Sequence, residues 1–78
     1  MLPPEDQTLV REWLAEIAVR QDECRAEMDR LAQLRCDILR LLRDRGRLSN
    51  VQLGALAGTS AARAGELARA GNPERFAA

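Results

Sequence analysis

Between Pro4 and Gly46 the chain contains neither a glycine nor a proline. An uninterrupted run of that kind predicts one helix over about residues 5–45, roughly 60 Å long at 1.5 Å per residue. Pro4 suits the first helical position, and Glu5 and Asp6 favour the positive end of the helix dipole. Arg43 and Arg45 sit in the last turn, and Gly46 stops the run. In a chain of 78 residues such a helix cannot bury itself. Chains this short have small cores and lean on a partner, a metal or disulfides.

The apolar pattern points to a partner. With heptad position a at 10, 17, 24, 31 and 38, the residues are Val10, Ile17, Cys24, Leu31 and Ile38. Position d reads Trp13, Arg20, Glu27, Leu34 and Leu41, and Leu14, Met28 and Leu42 at e widen the stripe. The expected dimer interface is therefore Val10, Trp13, Ile17, Cys24, Leu31, Leu34, Ile38 and Leu41. A parallel dimer would stack Arg20 on Arg20 and Glu27 on Glu27. An antiparallel homodimer instead pairs Val10 with Leu41, Ile17 with Leu34, Cys24 with Glu27, Leu31 with Arg20 and Ile38 with Trp13 across the two chains.

Charge runs the same way. Residues 1–29 carry eight acids and three arginines, a net −5, and residues 30–78 carry nine arginines and four acids, a net +5. An antiparallel pair lays the acidic half along the basic half, a gain kept small by screening over ~8 Å.

Composition narrows the function classes. There is no histidine, and Cys24 and Cys36 are the only cysteines. Two thiols cannot make a structural zinc site, which takes about four such ligands. Twelve residues apart on one helix, they would stand roughly 18 Å from each other, too far for a disulfide. A reducing, cytoplasmic setting fits them. No metal or cofactor is expected, and no glycine-rich phosphate loop follows a strand, so the chain is expected not to be an enzyme. The N-terminus lacks the basic and apolar regions of a signal peptide, and no apolar run approaches the ~20 residues of a membrane span. All twelve basic residues are arginine and alanine is abundant, the bias of a GC-rich bacterial genome.

The stripe broadens towards the end of the long helix. Leu34, Ile38, Leu39, Leu41 and Leu42 span about 160° at ~100° per residue, more than a two-stranded seam uses. Something must cover Leu39 and Leu42. After Gly46, Ser49 can cap a helix over Asn50–Ala57 carrying Val51, Leu53 and Leu56. Gly58 closes it. Ser60 caps the next helix, from Ala61 to about Ala70, with Ala64, Leu67 and Ala68 inward, and Gly71-Asn72-Pro73 stops it. Phe76 either folds back on the core or belongs to a frayed tail. The expected organisation is all-α: a coiled-coil dimerisation helix over 1–35, a tri-helical unit over 36–71 and a tail over 72–78.

The stretch "RLSNVQLGALAGTSAARAGELA" resembles the helix-turn-helix of small bacterial DNA-binding proteins, the sigma-factor region 4 and resolvase types among them. Leu48, Ser49, Leu53, Gly54, Ala57, Gly58, Ser60 and Leu67 take the motif positions without a gap, over roughly residues 36–70. Thr59 and Ala64 stand where larger apolar residues usually pack. Gly54 replaces the usual alanine at the helix crossing, at about 1 kcal/mol of helix propensity. The resemblance implies a recognition helix that offers Ser60, Ala61, Ala62, Arg63, Glu66 and Arg69 to DNA, with Arg47 beside it. Arginine can hold guanine bidentately and alanine can touch a thymine methyl, whereas Glu66 opposes the phosphates. Arg43, Arg45, Arg47, Arg63 and Arg69 are the arginines placed for phosphates. The implied function is a dimeric DNA-binding transcriptional regulator or accessory factor. The competing expectation is a coiled-coil adaptor whose C-terminal helices bind a protein. In an antiparallel dimer the two reading units would lie roughly 50 Å apart, beyond the ~34 Å of adjacent half-sites.

Overall fold

The computed structural model describes residues 1–77, so of the tail expected over 72–78 only Ala78 lies outside the described residues. The chain is all-helical: α1 spans Pro4–Asp44, α2 Asn50–Ala57 and α3 Ala61–Arg69, with no strand among the described residues. α1 runs for 41 residues with Pro4 in its first turn and Arg43 in its last. The molecule is correspondingly long, 64 × 29 × 14 Å, with a radius of gyration of 20.4 Å. A compact chain of this length would have a radius near ~11–12 Å.

Local chemistry sets the helix ends. The Ser49 side chain accepts from the Gln52 backbone N–H at 3.2 Å, and Gln52 Oε1 accepts from Ser49 N–H at 2.9 Å. This closes a capping box at the start of α2. Ser60 Oγ caps α3 by accepting from Arg63 N–H at 3.1 Å. Between them Gly58 takes the left-handed conformation, φ 70°, that a side chain would resist. α1 ends at Asp44, one residue short of the expected Arg45, and the chain reverses one residue beyond the glycine. Leu48 N–H donates back to the Leu42 carbonyl at 3.2 Å, and the left-handed residue is Arg47, φ 56°, not Gly46.

The core is small and lies at one end of α1. Cys36 and Leu39 from α1, Leu53 from α2, and Ala64, Leu67 and Ala68 from α3 are buried, with Leu42, Leu48 and Ala57 packed against them. Of the apolar residues on α2 only Leu53 is fully enclosed; Val51 and Leu56 face outward. Small residues let the helices approach. A Cβ at Gly54 would stand 2.7 Å from the Thr59 carbonyl oxygen, so the glycine is dictated by the turn and an alanine there would not fit without a shift. Phe76 is partly exposed, on a turn after α3.

Candidate nucleic-acid interface

α3 has two unlike sides. Ala64, Gly65, Leu67 and Ala68 are buried against α1 and α2. Ala62, Arg63, Glu66 and Arg69 face outward, and Ala61 is half-buried at the N-terminal end. The i, i+3, i+4 spacing of Ala62, Glu66, Arg63 and Arg69 gathers these four on one face about 120° wide. Ser60 lies at the tip, its hydroxyl oxygen already accepting the cap hydrogen bond. Arg47 is on the α1–α2 connection. That connection leads into Asn50, whose side chain stands against Gly65: a Cβ there would meet Asn50 Nδ2 at 2.8 Å. The N-terminus of α2 therefore lies beside the middle of α3.

The arginines expected to meet phosphates differ in their freedom. Arg63 Nη1 reaches Glu66 Oε2 at 3.2 Å, with both side chains more than half exposed. Arg43 Nε lies 3.4 Å from Asp44 Oδ1, and Arg40 Nε 2.6 Å from Asp44 Oδ2. The Arg40 hydrogen bond, ahead of that from Arg43, holds the Asp44 carboxyl below its ordinary value. Arg45, Arg47 and Arg69 take no ion pair among the described residues. Exposed pairs such as Arg63–Glu66 are worth little and exchange readily for a stronger anion.

What fixes α3 on α1 is a group that sequence reasoning did not single out. Asp37 is 1% exposed. Its Oδ1 accepts from Asn72 backbone N–H at 2.7 Å and from Gln33 Nε2 at 2.8 Å, and its Oδ2 from Arg75 Nη1 at 2.9 Å. Gln33 Nε2 also donates to the Ala70 carbonyl at 3.3 Å. The carboxylate thus pins the chain just beyond α3 to the side of α1. Gly71 makes this possible, because a Cβ there would collide with the Cys36 carbonyl oxygen and stand 2.7 Å from Arg40 Cβ.

The Asn72 N–H, with Gln33 and Arg75 behind it, holds the Asp37 carboxyl below its ordinary value. A carboxylate whose pKa is depressed on folding stabilises the fold above its unfolded value of about 3.9 and loses that contribution as pH falls further. Asp37→Asn is therefore expected to lower the thermal midpoint by several degrees at pH 7, and by progressively less as pH falls below about 3.9. A midpoint difference that does not change between these pH values would contradict the assignment.

The residues expected at a dimer seam are also accessible. Val10, Trp13, Ile17, Cys24, Leu31 and Ile38 are exposed, and Leu34 and Leu41 are half-buried. The two charged d residues bond within their own helix: Arg20 Nη2 to Glu16 Oε1 at 3.0 Å, and Glu27 Oε1 from Arg30 Nη2 at 2.6 Å. Both cysteines are free thiols, Cys24 exposed and Cys36 buried. Among the described residues no helix is long and apolar enough to cross a membrane. Comparisons of the chain with protein-family models, curated proteins and solved structures return no match.

Proposed function

We propose that this chain is a dimeric DNA-binding protein, a cytoplasmic transcriptional regulator or accessory factor that presents α3 to the major groove. The observation that carries the reading is the division of α3: its inner side is wholly used in packing, while Ala62, Arg63, Glu66 and Arg69 stand open on the other. A capped helix N-terminus and Arg69, unpaired among the described residues, offer anion contacts around a short face for base edges, and Arg47 lies on the loop that leads into α2. Arg47 adds a further point. A left-handed arginine costs roughly 1–2 kcal/mol of backbone strain, and strain of this kind concentrates at functional sites.

The test is a gel shift of genomic fragments across salt concentrations. The wild-type chain is expected to shift DNA at ~50 mM salt and to lose affinity steeply as salt rises. Arg63→Ala and Arg69→Ala are each expected to cost about 1–3 kcal/mol of binding, and Glu66→Gln to strengthen it. Arg47→Gly should raise fold stability by about 1 kcal/mol and weaken binding together. No shift at ~50 mM salt would end this reading. The adaptor reading would then stand, favoured by the Arg63–Glu66 pair and a net charge of zero, both of which reduce the pull on a polyanion.

A further inference from the structure

α1 and α2 enclose an apolar groove of about 380 Å³ that the core does not fill. Its floor is Leu31, Leu34, Ile38 and Leu42 on α1, its far wall is Leu56 on α2, and Arg35 stands at its rim. Leu56 is 68% exposed although it projects from an eight-residue helix made mostly of apolar residues. The groove opens directly onto the stripe that continues along α1 through Met28, Cys24 and Ile17 to Trp13 and Val10. Trp13, the one tryptophan of the chain, is 54% exposed at the far end of that stripe.

We infer that the groove between α1 and α2 is the seat for Trp13 and Leu14 of a second, antiparallel copy of this chain. The inference rests on the self-association in the reading above, and not on DNA binding. Three observations select a second copy as the occupant. The first is area. A compact monomer of this mass exposes about 4,700 Å²; this chain exposes 6120 Å². The surplus of about 1,400 Å² on each of two chains matches the roughly 2,000–5,000 Å² buried in permanent homodimers.

The second is register. The pairing that matches Val10 with the partner's Leu41 and Ile17 with the partner's Leu34 brings the partner's Trp13 level with Ile38, inside the groove. The partner's Leu14, at position e, then falls on the side where Arg35, Leu42 and Leu56 lie. The two ends of one chain thus supply the groove and its filling, twice per dimer by symmetry.

The third is charge. The groove belongs to the half of the chain with net +5, and Trp13 lies in the half with net −5, between Glu12 and Glu16. A parallel pair would place Trp13 on Trp13, leave both grooves empty and stack like charges at Arg20 and Glu27. In the antiparallel pair Arg20 faces the partner's Leu31 and Glu27 the partner's Cys24, so no like charges meet, and each can keep the bond to Glu16 or Arg30 on its own helix.

A dimer of this kind is more than two helices in contact. Leu56 joins the interface, so each α2–α3 unit is braced by the other chain's N-terminal turns. The orientation of one α3 relative to the other is then set by packing and not by a flexible joint.

The experiment uses the full chain without DNA. Sedimentation equilibrium is expected to show a dimer, and tryptophan emission is expected to move to shorter wavelength as dimer forms. Leu56→Asp should weaken dimerisation by about tenfold or more in Kd and return the emission to that of exposed tryptophan. Because Leu56 is exposed, the variant should keep the circular dichroism of the parent, which separates lost docking from lost folding. Orientation is read by mixing Val10→Cys and Leu41→Cys chains, both carrying Cys24→Ser. The mixed disulfide is expected, with no Val10→Cys homodimer bridge, since those positions would lie about 46 Å apart. A monomer at all concentrations, emission unchanged by Leu56→Asp in a persisting dimer, or a bridge between two Val10→Cys chains would each overturn the inference. A DNA shift without these signatures would leave the functional reading standing and remove this one.

Discussion

Leu53→Ala is expected to melt α2 and α3 while leaving most of α1 helical. Leu53 is fully buried and is the largest side chain so enclosed. It stands where all three helices meet, among Cys36, Leu39, Ala64, Leu67 and Ala68. Three of its neighbours, Cys36, Ala64 and Ala68, have side chains too short to reach across and fill the space. A cavity that cannot collapse lies at the costly end of the roughly 2–5 kcal/mol seen for leucine-to-alanine changes in cores. A core of this size supplies only about 3–5 kcal/mol in all. The loss in circular dichroism should not exceed the eight residues of α2 and the nine of α3. Trypsin should then cut after Arg63 and Arg69. Val51→Ala, on the same helix but exposed, is the control and should shift stability by no more than about 0.5 kcal/mol. A Leu53→Ala midpoint equal to that of Val51→Ala would refute the three-helix core.

The helices were legible in the sequence because their ends are set by neighbouring residues. A run without glycine or proline, two serines at caps and Gly58 at the turn are local signals, and α1, α2 and α3 follow them to within a residue or so. The inward face of α3 was legible for the same reason: Ala64, Leu67 and Ala68 share one side at helical spacing. What local spacing cannot carry is a contact made across the fold. Asp37 looks like any acid on a charged helix until Asn72 and Arg75, thirty-five and thirty-eight residues later, return to it. Gly54 reads as a propensity cost until the Thr59 carbonyl is found above it. Leu56 reads as one more core leucine, because the sequence does not say that Leu53 alone fills the space beneath α2. The candidate site divides likewise. The open face of α3 could be read from periodicity, whereas the pairing of Arg63 with Glu66 at i, i+3 and the left-handed Arg47 needed the folded chain.

The second large effect is expected at Gly71. Alanine there puts a methyl into the carbonyl oxygen of Cys36 and against Arg40 Cβ. Both obstacles belong to the body of α1, the first to its backbone, so the chain after α3 must give way. Overpacking of this kind costs about 1–3 kcal/mol. Its consequence is specific, because the displaced segment begins with the Asn72 N–H that Asp37 accepts at 2.7 Å. Gly71→Ala should therefore undo the Asp37 contacts that depend on the tail, and Asp37→Asn should cost little more once Gly71 is changed. A double-mutant cycle by thermal or urea denaturation is expected to be clearly less than additive. The acid limb adds an independent reading. In the wild type the depressed Asp37 pKa makes stability fall as pH drops below about 3.9; with the tail displaced the carboxyl returns towards its ordinary value and that slope should flatten. Additive losses with an unchanged acid limb would mean that Gly71 and Asp37 act on separate parts of the fold. Loss of the slope in Gly71→Ala would show that a single close approach, at a residue with no side chain, holds the buried Asp37 carboxylate in place and through it the docking of α3 on α1.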